Sequence, residues 1–296
     1  MALPDLKEFC MPSSEGDLVN LLHKYGDSAL IVAGGTFLHG LEARGFLSGT
    51  EALIDLRGLG LDGINSGFKR TRAGASVNFA ALASLPDIDS PGLGALQDAL
   101  AYPPTQIMNQ ATVGGSIASA CPFFDVPCAF QALDCQVTVA GGREERTLPI
   151  GDMYAGLFEN TLEPGEYITS LLLPKPGKRA TSAYLKLESN ANDLALVGVA
   201  VSYSLGGWGG KICEARVVLG GGLNDRFVRS EAAEALLNGE KPGDEVFQRA
   251  AQAIEDSIEP MSDHRCSAQY RTHIGKVYVR KALQKAAVRL DGEAAS

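Results

Sequence analysis

Ile31-Val32-Ala33-Gly34-Gly35-Thr36-Phe37-Leu38 runs a short apolar strand straight into two glycines and a hydroxyl. Eighty residues later Ala111-Thr112-Val113-Gly114-Gly115-Ser116-Ile117-Ala118 repeats the pattern. Consecutive glycines reach positive φ and leave neighbouring N–H groups uncovered, which makes a concavity for an anion. The hydroxyls of Thr36, Thr112 and Ser116 would complete it, and two such loops could grip both phosphates of a dinucleotide from opposite sides. Each pair, taken alone, reads equally as a tight turn. A third glycine-rich stretch, Gly58-Leu59-Gly60-Leu61-Asp62-Gly63, fits the dinucleotide fingerprint GxGxxG. That fingerprint needs a helix to open at its end, and Ile64-Asn65-Ser66-Gly67 is turn chemistry instead, so no Rossmann site is expected here. Gly210-Lys211 is no Walker loop either, because Leu205 and Ile212 occupy positions that need glycine and Ser or Thr. No Gly-x-Ser-x-Gly elbow occurs, and the histidines lack metal-ligand spacing.

Outward from these loops, short strands and helices alternate. Leu18, Leu21, Leu22 and Tyr25 recur at helical spacing between Ser14, with Asp17 three residues on, and Gly26. Strands are expected at Ala29–Ala33, Ala52–Leu56, Cys135–Ala140 and Tyr167–Leu173. Two prolines and a glycine in Leu173–Lys178 mark a linker. Beyond it, Ala183–Leu187, Leu196–Leu205 and Ile212–Leu219 read as three β segments, the last two joined by a glycine-rich turn around Trp208. Helices are expected at Glu231–Leu237, Glu245–Ile258 and Ala268–Leu283. Two domains, 1–175 and 176–290, follow from the break near residue 175.

The chain has 296 residues, with 26 basic and 35 acidic side chains, a formal net charge of −9. The acidic balance argues against nucleic acid and anionic membranes as partners. No apolar run approaches the roughly 18 residues of a membrane span, and the N-terminus lacks the basic and apolar regions of an export signal, so a cytoplasmic chain is expected. Six cysteines without a CxxC pair read as reduced core or surface thiols rather than a cluster site, although Cys121, Cys128 and Cys135 lie seven apart.

The glycine loops resemble those of the FAD-binding (medium) subunits of molybdenum hydroxylases, a family that includes the medium chain of carbon monoxide dehydrogenase and the flavin domain of xanthine dehydrogenase. The first is similar to the family's Ala-Gly-Gly-Thr pyrophosphate loop, and Thr112–Ser116 to its Thr-Ile-Gly-Gly-Asn/Asp loop. Pro104–Gln110 resembles the family's Pro-Gln-Ile-Arg-Asn. Asp125, nine residues after Ser116, falls where the family keeps a cofactor-contacting aspartate. Glu166-Tyr167-Ile168 and Ala183-Tyr184-Leu185-Lys186 are similar to two further flavin-contacting segments, and Ser262–Arg271 to the closing Asp-x-Arg-(Ala/Gly)-Ser-Ala-x-Tyr-Arg. Met108 stands where most relatives have Arg, Ser116 replaces Asn or Asp, and Asn190 sits near another usual Arg. These departures leave the electron acceptor open. The inserted four-cysteine loop of the acyl-CoA-reducing branch is absent from Cys121–Cys135.

The resemblance implies an α+β fold: a PCMH-type (vanillyl-alcohol-oxidase-type) FAD-binding domain of two α/β subdomains, then a three-stranded antiparallel sheet with helices. It implies FAD in this chain, and a molybdenum cofactor and two-iron two-sulfur clusters in partner subunits. The partners would be a large molybdenum-cofactor subunit and a small iron–sulfur subunit, in a heterotrimer or a dimer of heterotrimers. No side chain need be a nucleophile or base; electrons enter from the clusters and leave to an external acceptor. Cofactor contacts are expected from Val32, Ala33, Gly34, Gly35, Thr36, Phe37 and Leu38, and from Ala111, Thr112, Gly114, Gly115 and Ser116. Asp125 would orient a hydroxyl or phosphate-side group. Tyr102, Ile107 and Ile168 would border the flavin, and Lys186 would approach its polar edge.

Each has a structural counterpart: core packing for Ile107 and Ile168, a turn anchor for Tyr102, a helix cap for Asp125, a solvated face for Lys186, and filling beneath the loop for Phe37. Two other classes of function remain open on sequence: a self-sufficient flavin oxidase or dehydrogenase of the same fold, and a scaffold subunit that has lost flavin. The basic run Arg265, Arg271, Lys276, Arg280, Lys281, Lys285 and Arg289 reads either as a solvated helix face or as a docking surface.

Overall fold

The computed structural model describes residues 3–42, 47–141, 144–206 and 209–294. Trp208 and the turn around it lie outside the described residues. The chain first builds β1 (Glu8–Cys10), α1 (Glu15–Tyr25), β2 (Ala29–Val32), α2 (Thr36–Glu42) and β3 (Ala52–Asp55), whose strands form a parallel sheet in the order β1-β3-β2. Helix α1 starts where the sequence places it. Ser14 Oγ accepts the Asp17 N–H at 3.2 Å, and Gly26 ends the helix at φ +50°. Its Leu18 packs with Cys10, Ile54, Leu56 and Tyr167 into a small core between this sheet and the next.

The second unit holds β4 (Ile64–Ser66), β5 (Arg70–Gly74), α3 (Phe79–Leu82), α4 (Gly94–Leu100), α5 (Thr105–Gln110), α6 (Val113–Ala118), α7 (Asp125–Ala132), β6 (Gln136–Ala140), β7 (Arg146–Pro149), the hairpin β8 (Tyr154–Gly156) and β9 (Glu159–Asn160), and β10 (Tyr167–Pro174). Its main sheet is antiparallel in the order β4-β5-β10-β6-β7. Alternation sends Thr71, Ala73, Val137, Val139, Leu171 and Leu173 to the buried face. No helix follows the GxGxxG look-alike, as expected, but Ile64–Ser66, read as turn chemistry, forms strand β4 by pairing with β5.

The last unit holds β11 (Ala180–Leu187), β12 (Val197–Gly206), β13 (Lys211–Gly220), β14 (Val228–Arg229), α8 (Glu231–Leu237), α9 (Asp244–Ala253) and α10 (Ala268–Ala294). Its antiparallel sheet has four strands, β11-β12-β13-β14, not the three expected. The added strand is two residues long, too short to carry an alternation signal. Helix α9 passes into a 3₁₀ turn at Ile254–Ser257, and α10 continues well past Leu283.

One core runs through both halves of the chain. Tyr184, Ala200, Val218 and Phe227 pack with Ala129, Phe130 and Ile117. Asp98 on α4 binds Arg289 and Lys285 of α10 and accepts the Tyr184 N–H at 3.0 Å. The basic run of α10 is absorbed in the same way: Arg271 pairs with Asp263, Lys276 with Glu255 and Arg280 with Asp244. These charges stitch the helix to its own chain; Arg271 is fully buried rather than on a solvated face, and Lys281 alone of the run on α10 has no ion pair among the described residues.

Candidate functional site

The two glycine segments meet. A Cβ on Gly34 would fall inside the Gln110 carbonyl group, 2.6 Å from its carbon and 3.2 Å from Ala111 Cα. Backbone lies against backbone there, and only glycine permits it. Gly35 follows at φ +69° and turns the chain into α2. Among the described residues, no carbonyl or side chain accepts from the N–H groups of Gly34, Gly35 or Thr36. Val32, Ala33, Gly34, Gly35, Thr36, Phe37 and Leu38 are all half-buried, so these donors are partly open to solvent where the two segments meet.

The second segment is built differently from the expected positive-φ loop. Gly114 and Gly115 lie inside helix α6, and neither has positive φ. Thr112 caps the helix by accepting the Gly115 N–H at 3.2 Å. The Val113 and Gly114 amides donate to Val77 and Ala75 carbonyls at 2.9 and 2.8 Å, and Ser116 N–H to Thr112 O at 2.9 Å. Gly114 is small because Ala75 leaves no room: a Cβ would sit 2.6 Å from that of Ala75. Gly115 is exposed, and Ser116 donates its hydroxyl to Val113 O at 2.8 Å. Ala111 and Thr112 are buried and face Phe79 and Asn78. The first segment therefore supplies free amides; the second supplies the wall and the Thr112 hydroxyl, whose proton is not used in capping.

Phe37 connects the first segment to Asp125. Its ring stands edge-on to Phe124, centroids 5.2 Å apart, and is tilted against Phe158 at 5.8 Å. The next residue, Asp125, opens α7 and accepts the Tyr184 hydroxyl at 2.7 Å and Lys186 Nζ at 3.1 Å. Lys186 Nζ also lies 3.1 Å from Glu188 and 5.0 Å from the centre of the Tyr102 ring. Tyr102 accepts the Lys186 N–H at 3.3 Å and meets the Tyr184 ring edge-on at 5.8 Å. Lys186, with a side chain 3 % exposed, is no solvated strand residue. Burial pushes the Asp125 carboxyl up to about 6, against Lys186 and the Tyr184 hydroxyl, which pull it down.

Tyr102, Asp125 and Lys186 are thus brought together, and Tyr184 and Glu188 belong with them. Strand alternation carried that signal: residues 184, 186 and 188 share a face at period two. Ile107 sits half-buried on α5. Ile168 is 4 % exposed on β10 and packs in the main core. Cys121, Cys128 and Cys135 are buried free thiols, and burial raises all three, Cys121 to about 12.

The C-terminal unit holds the corner before Asp125. Pro122 O accepts the Gly221 N–H at 2.7 Å, Phe123 O accepts the Ala195 N–H at 3.2 Å, and the Arg265 guanidinium lies 5.1 Å from the centre of the Phe123 ring. Asp263 binds both Arg265 and the fully buried Arg271. Burial opposes ionisation of that carboxyl, and the two guanidinium groups overcome it, so it stays well below the usual carboxylate range.

The chain matches known proteins over its full fold. Residues 5–176 match the family model described as FAD binding domain in molybdopterin dehydrogenase, and residues 182–286 match the CO dehydrogenase flavoprotein C-terminal domain. It is 31% identical to the carbon monoxide dehydrogenase medium chain of Afipia carboxidovorans, over 97% of this chain and 99% of that one. It is 28% identical to the nicotine 6-hydroxylase medium subunit of Paenarthrobacter nicotinovorans, over 98% and 100%. In the solved carbon monoxide dehydrogenase of Hydrogenophaga pseudoflava, a chain superposes with a TM-score of 0.90 at 30% identity, covering 98% of this chain and 99% of that one. The chain belongs to the FAD-binding medium subunits of molybdenum hydroxylases, the flavoprotein components of oxidoreductases.

Two outcomes follow from this geometry. Gly34→Ala is expected to abolish FAD binding, because its Cβ must displace the Gln110 backbone. Gly60→Ala meets open space and is expected to cost about 1 kcal/mol of stability from its φ of +65° while keeping full flavin content. Flavin-to-protein ratios of the purified variants check both. The second outcome concerns pH. The folded chain holds the Asp125 proton more tightly than an unfolded chain does, so this group's contribution to stability falls as pH rises from about 4 to about 6. Asp125→Asn should remove that fall, seen as a smaller loss of urea midpoint across the window than in the parent; equal losses would refute the assignment.

Proposed function

We propose that this chain holds FAD between the free amides of Gly34–Thr36 and the wall formed by Thr112–Ser116, and serves as the electron-transfer subunit of a molybdenum-dependent hydroxylase. The observation that carries the reading is the close approach of Gly34 to Gln110–Ala111, which brings the segment with the unpaired N–H donors against the start of the second segment. A set of amides and hydroxyls, with no carboxylate among its expected contacts before Asp125, suits a pyrophosphate. Ala33, Gly34, Gly35 and Thr36 would bind the phosphates, with Ala111, Gly114, Gly115 and Ser116 behind them. Val32, Phe37 and Leu38 would exclude water from that side. Tyr102, Ile107 and Ile168 would border the ring system, and Asp125 and Lys186 would orient its polar groups, each held in place by the other, by Tyr184 and by Glu188.

Bound flavin supplies the junction chemistry, since its ring takes up electrons one at a time and gives them up singly or as a hydride. The protein's task is binding, orientation and electrostatics, so no nucleophile or general base is required. Electrons would arrive from two-iron two-sulfur clusters of a small partner subunit, themselves fed by a molybdenum cofactor in a large one, and leave to an external acceptor. The medium-chain and medium-subunit names of the relatives support an assembly of several chains, which on this reading is a cytoplasmic heterotrimer, paired or single. Among the described residues no helix is long and apolar enough to cross a membrane. The two family models, meeting between residues 176 and 182, support a division of the chain near 175.

The isolated chain is expected to be yellow and to oxidise none of carbon monoxide, nicotine or xanthine. In the complex purified with its companion chains, anaerobic addition of the complex's organic substrate should bleach the flavin. Substrate oxidation by the isolated chain, or a purified chain without flavin that cannot be reconstituted with FAD, would contradict the reading.

A further inference from the structure

Carboxylates outnumber cations in this chain, 35 to 26, and its cations find them readily. Lys7 pairs with Glu51, Arg146 with Glu166, Lys175 with Asp87, Arg216 with Asp134 and Arg229 with Glu234. The exceptions among the described residues include Lys178, Arg179, Lys211, Lys241, Arg249 and Lys281, and three more that fall together on the hairpin between β4 and β5. Lys69, Arg70 and Arg72 make no ion pair among the described residues. Arg70 donates to the side-chain carbonyl of Gln136, and Arg72 Nε to Ser170 Oγ at 2.9 Å; both acceptors are neutral. Thr71 and Ala73 point into the core, so Arg70 and Arg72 stand together on the outer face of the five-stranded sheet. At the tip, beside Lys69, Phe68 is 96 % exposed, more than any other large apolar side chain described.

Three adjacent cations left unneutralised amid surplus carboxylates form a local positive field on an acidic molecule. An aromatic ring held almost wholly in water at the centre of that field has the form of an interface anchor. We propose that this hairpin tip and the outer sheet face behind it dock an acidic surface of a partner subunit, which receives the Phe68 ring in an apolar pocket. The inference rests on the subunit reading above and adds to it the place and chemistry of one contact. A second copy of this chain fits less well. A basic hairpin meeting an acidic surface of an identical chain makes a head-to-tail contact, which leaves both surfaces free to propagate. A nucleic acid would match the cations but offers no pocket for Phe68.

The test is reassembly of the native complex from which this chain has been stripped, titrated with flavin-loaded wild-type chain or variants. Wild-type affinity should fall as ionic strength rises. Arg70→Glu with Arg72→Glu should weaken reassembly about tenfold or more at low salt and flatten its salt dependence. Phe68→Ser should weaken it by about tenfold at all salt concentrations. Flavin content and melting temperature should match wild type. Lys69→Glu, which disturbs no hydrogen bond, carries the charge arm if the double variant folds poorly. Reassembly of every variant with wild-type affinity would overturn the docking surface and leave the subunit reading intact. Failure of the wild-type chain to rejoin would overturn both. Self-association of the chain, or binding to a mixed-sequence DNA duplex, that these substitutions abolish while reassembly persists would assign the surface to those occupants instead.

Discussion

The backbone of Gly34 lies directly on the carbonyl of Gln110, and the candidate site depends on that contact. It joins the parallel first sheet to the helical layer of the second unit at a point where no side chain intervenes. The consequence for chemistry is local. With Gly34 pinned and Gly35 turned to positive φ, the amides of Gly34, Gly35 and Thr36 have no internal acceptor among the described residues. The amides of α6 are meanwhile spent on Ala75, Val77 and Thr112. Two sequence segments that look alike therefore do different work, one donating and the other packing.

A second constraint comes from the far end of the chain. The corner Pro122–Asp125 is gripped by Gly221, Ala195 and Arg265 from behind and by Tyr184 and Lys186 from the front. The C-terminal unit thus sets the position of Asp125, although it contributes only Lys186 to the expected cofactor contacts. Burial of Lys186 between Asp125 and Glu188 costs desolvation, which a removable partner would expose as an unpaired charge. Phe37, edge-on to Phe124, ties this arrangement back to the first glycine segment.

Much of this was legible in the residues, and the misses have physical causes. The caps of α1, the lack of a helix after the GxGxxG look-alike and the bounds of α8 all follow from local chemistry. The helical state of Gly114 and Gly115 does not. Two glycines disfavour a helix, and it forms because the Thr112 cap and the Ala75 contact override propensity. Strand β14 escaped because two residues hold no period. Tyr184 lay in a segment that resembles a flavin-contacting one but was given no role, and Glu188 was not singled out, although period-two alternation puts both on the face of Lys186. The basic run of α10 read as a solvated face or a docking surface because its carboxylate partners, Glu255, Asp244 and Asp98, are brought to it only by the fold.

The central claim is that FAD binds where Gly34 meets Gln110, with the first segment supplying its donors. Amide hydrogen exchange of the chain with and without FAD tests it most directly, because the free and spent amides differ before any ligand is added. The account predicts a large gain of protection at Gly34, Gly35 and Thr36 on FAD binding, a small one at Val113 and Gly114, which are already hydrogen-bonded, and none at Gly58–Gly63. Protection gained at Gly58–Gly63 with Gly34–Thr36 unchanged would contradict it.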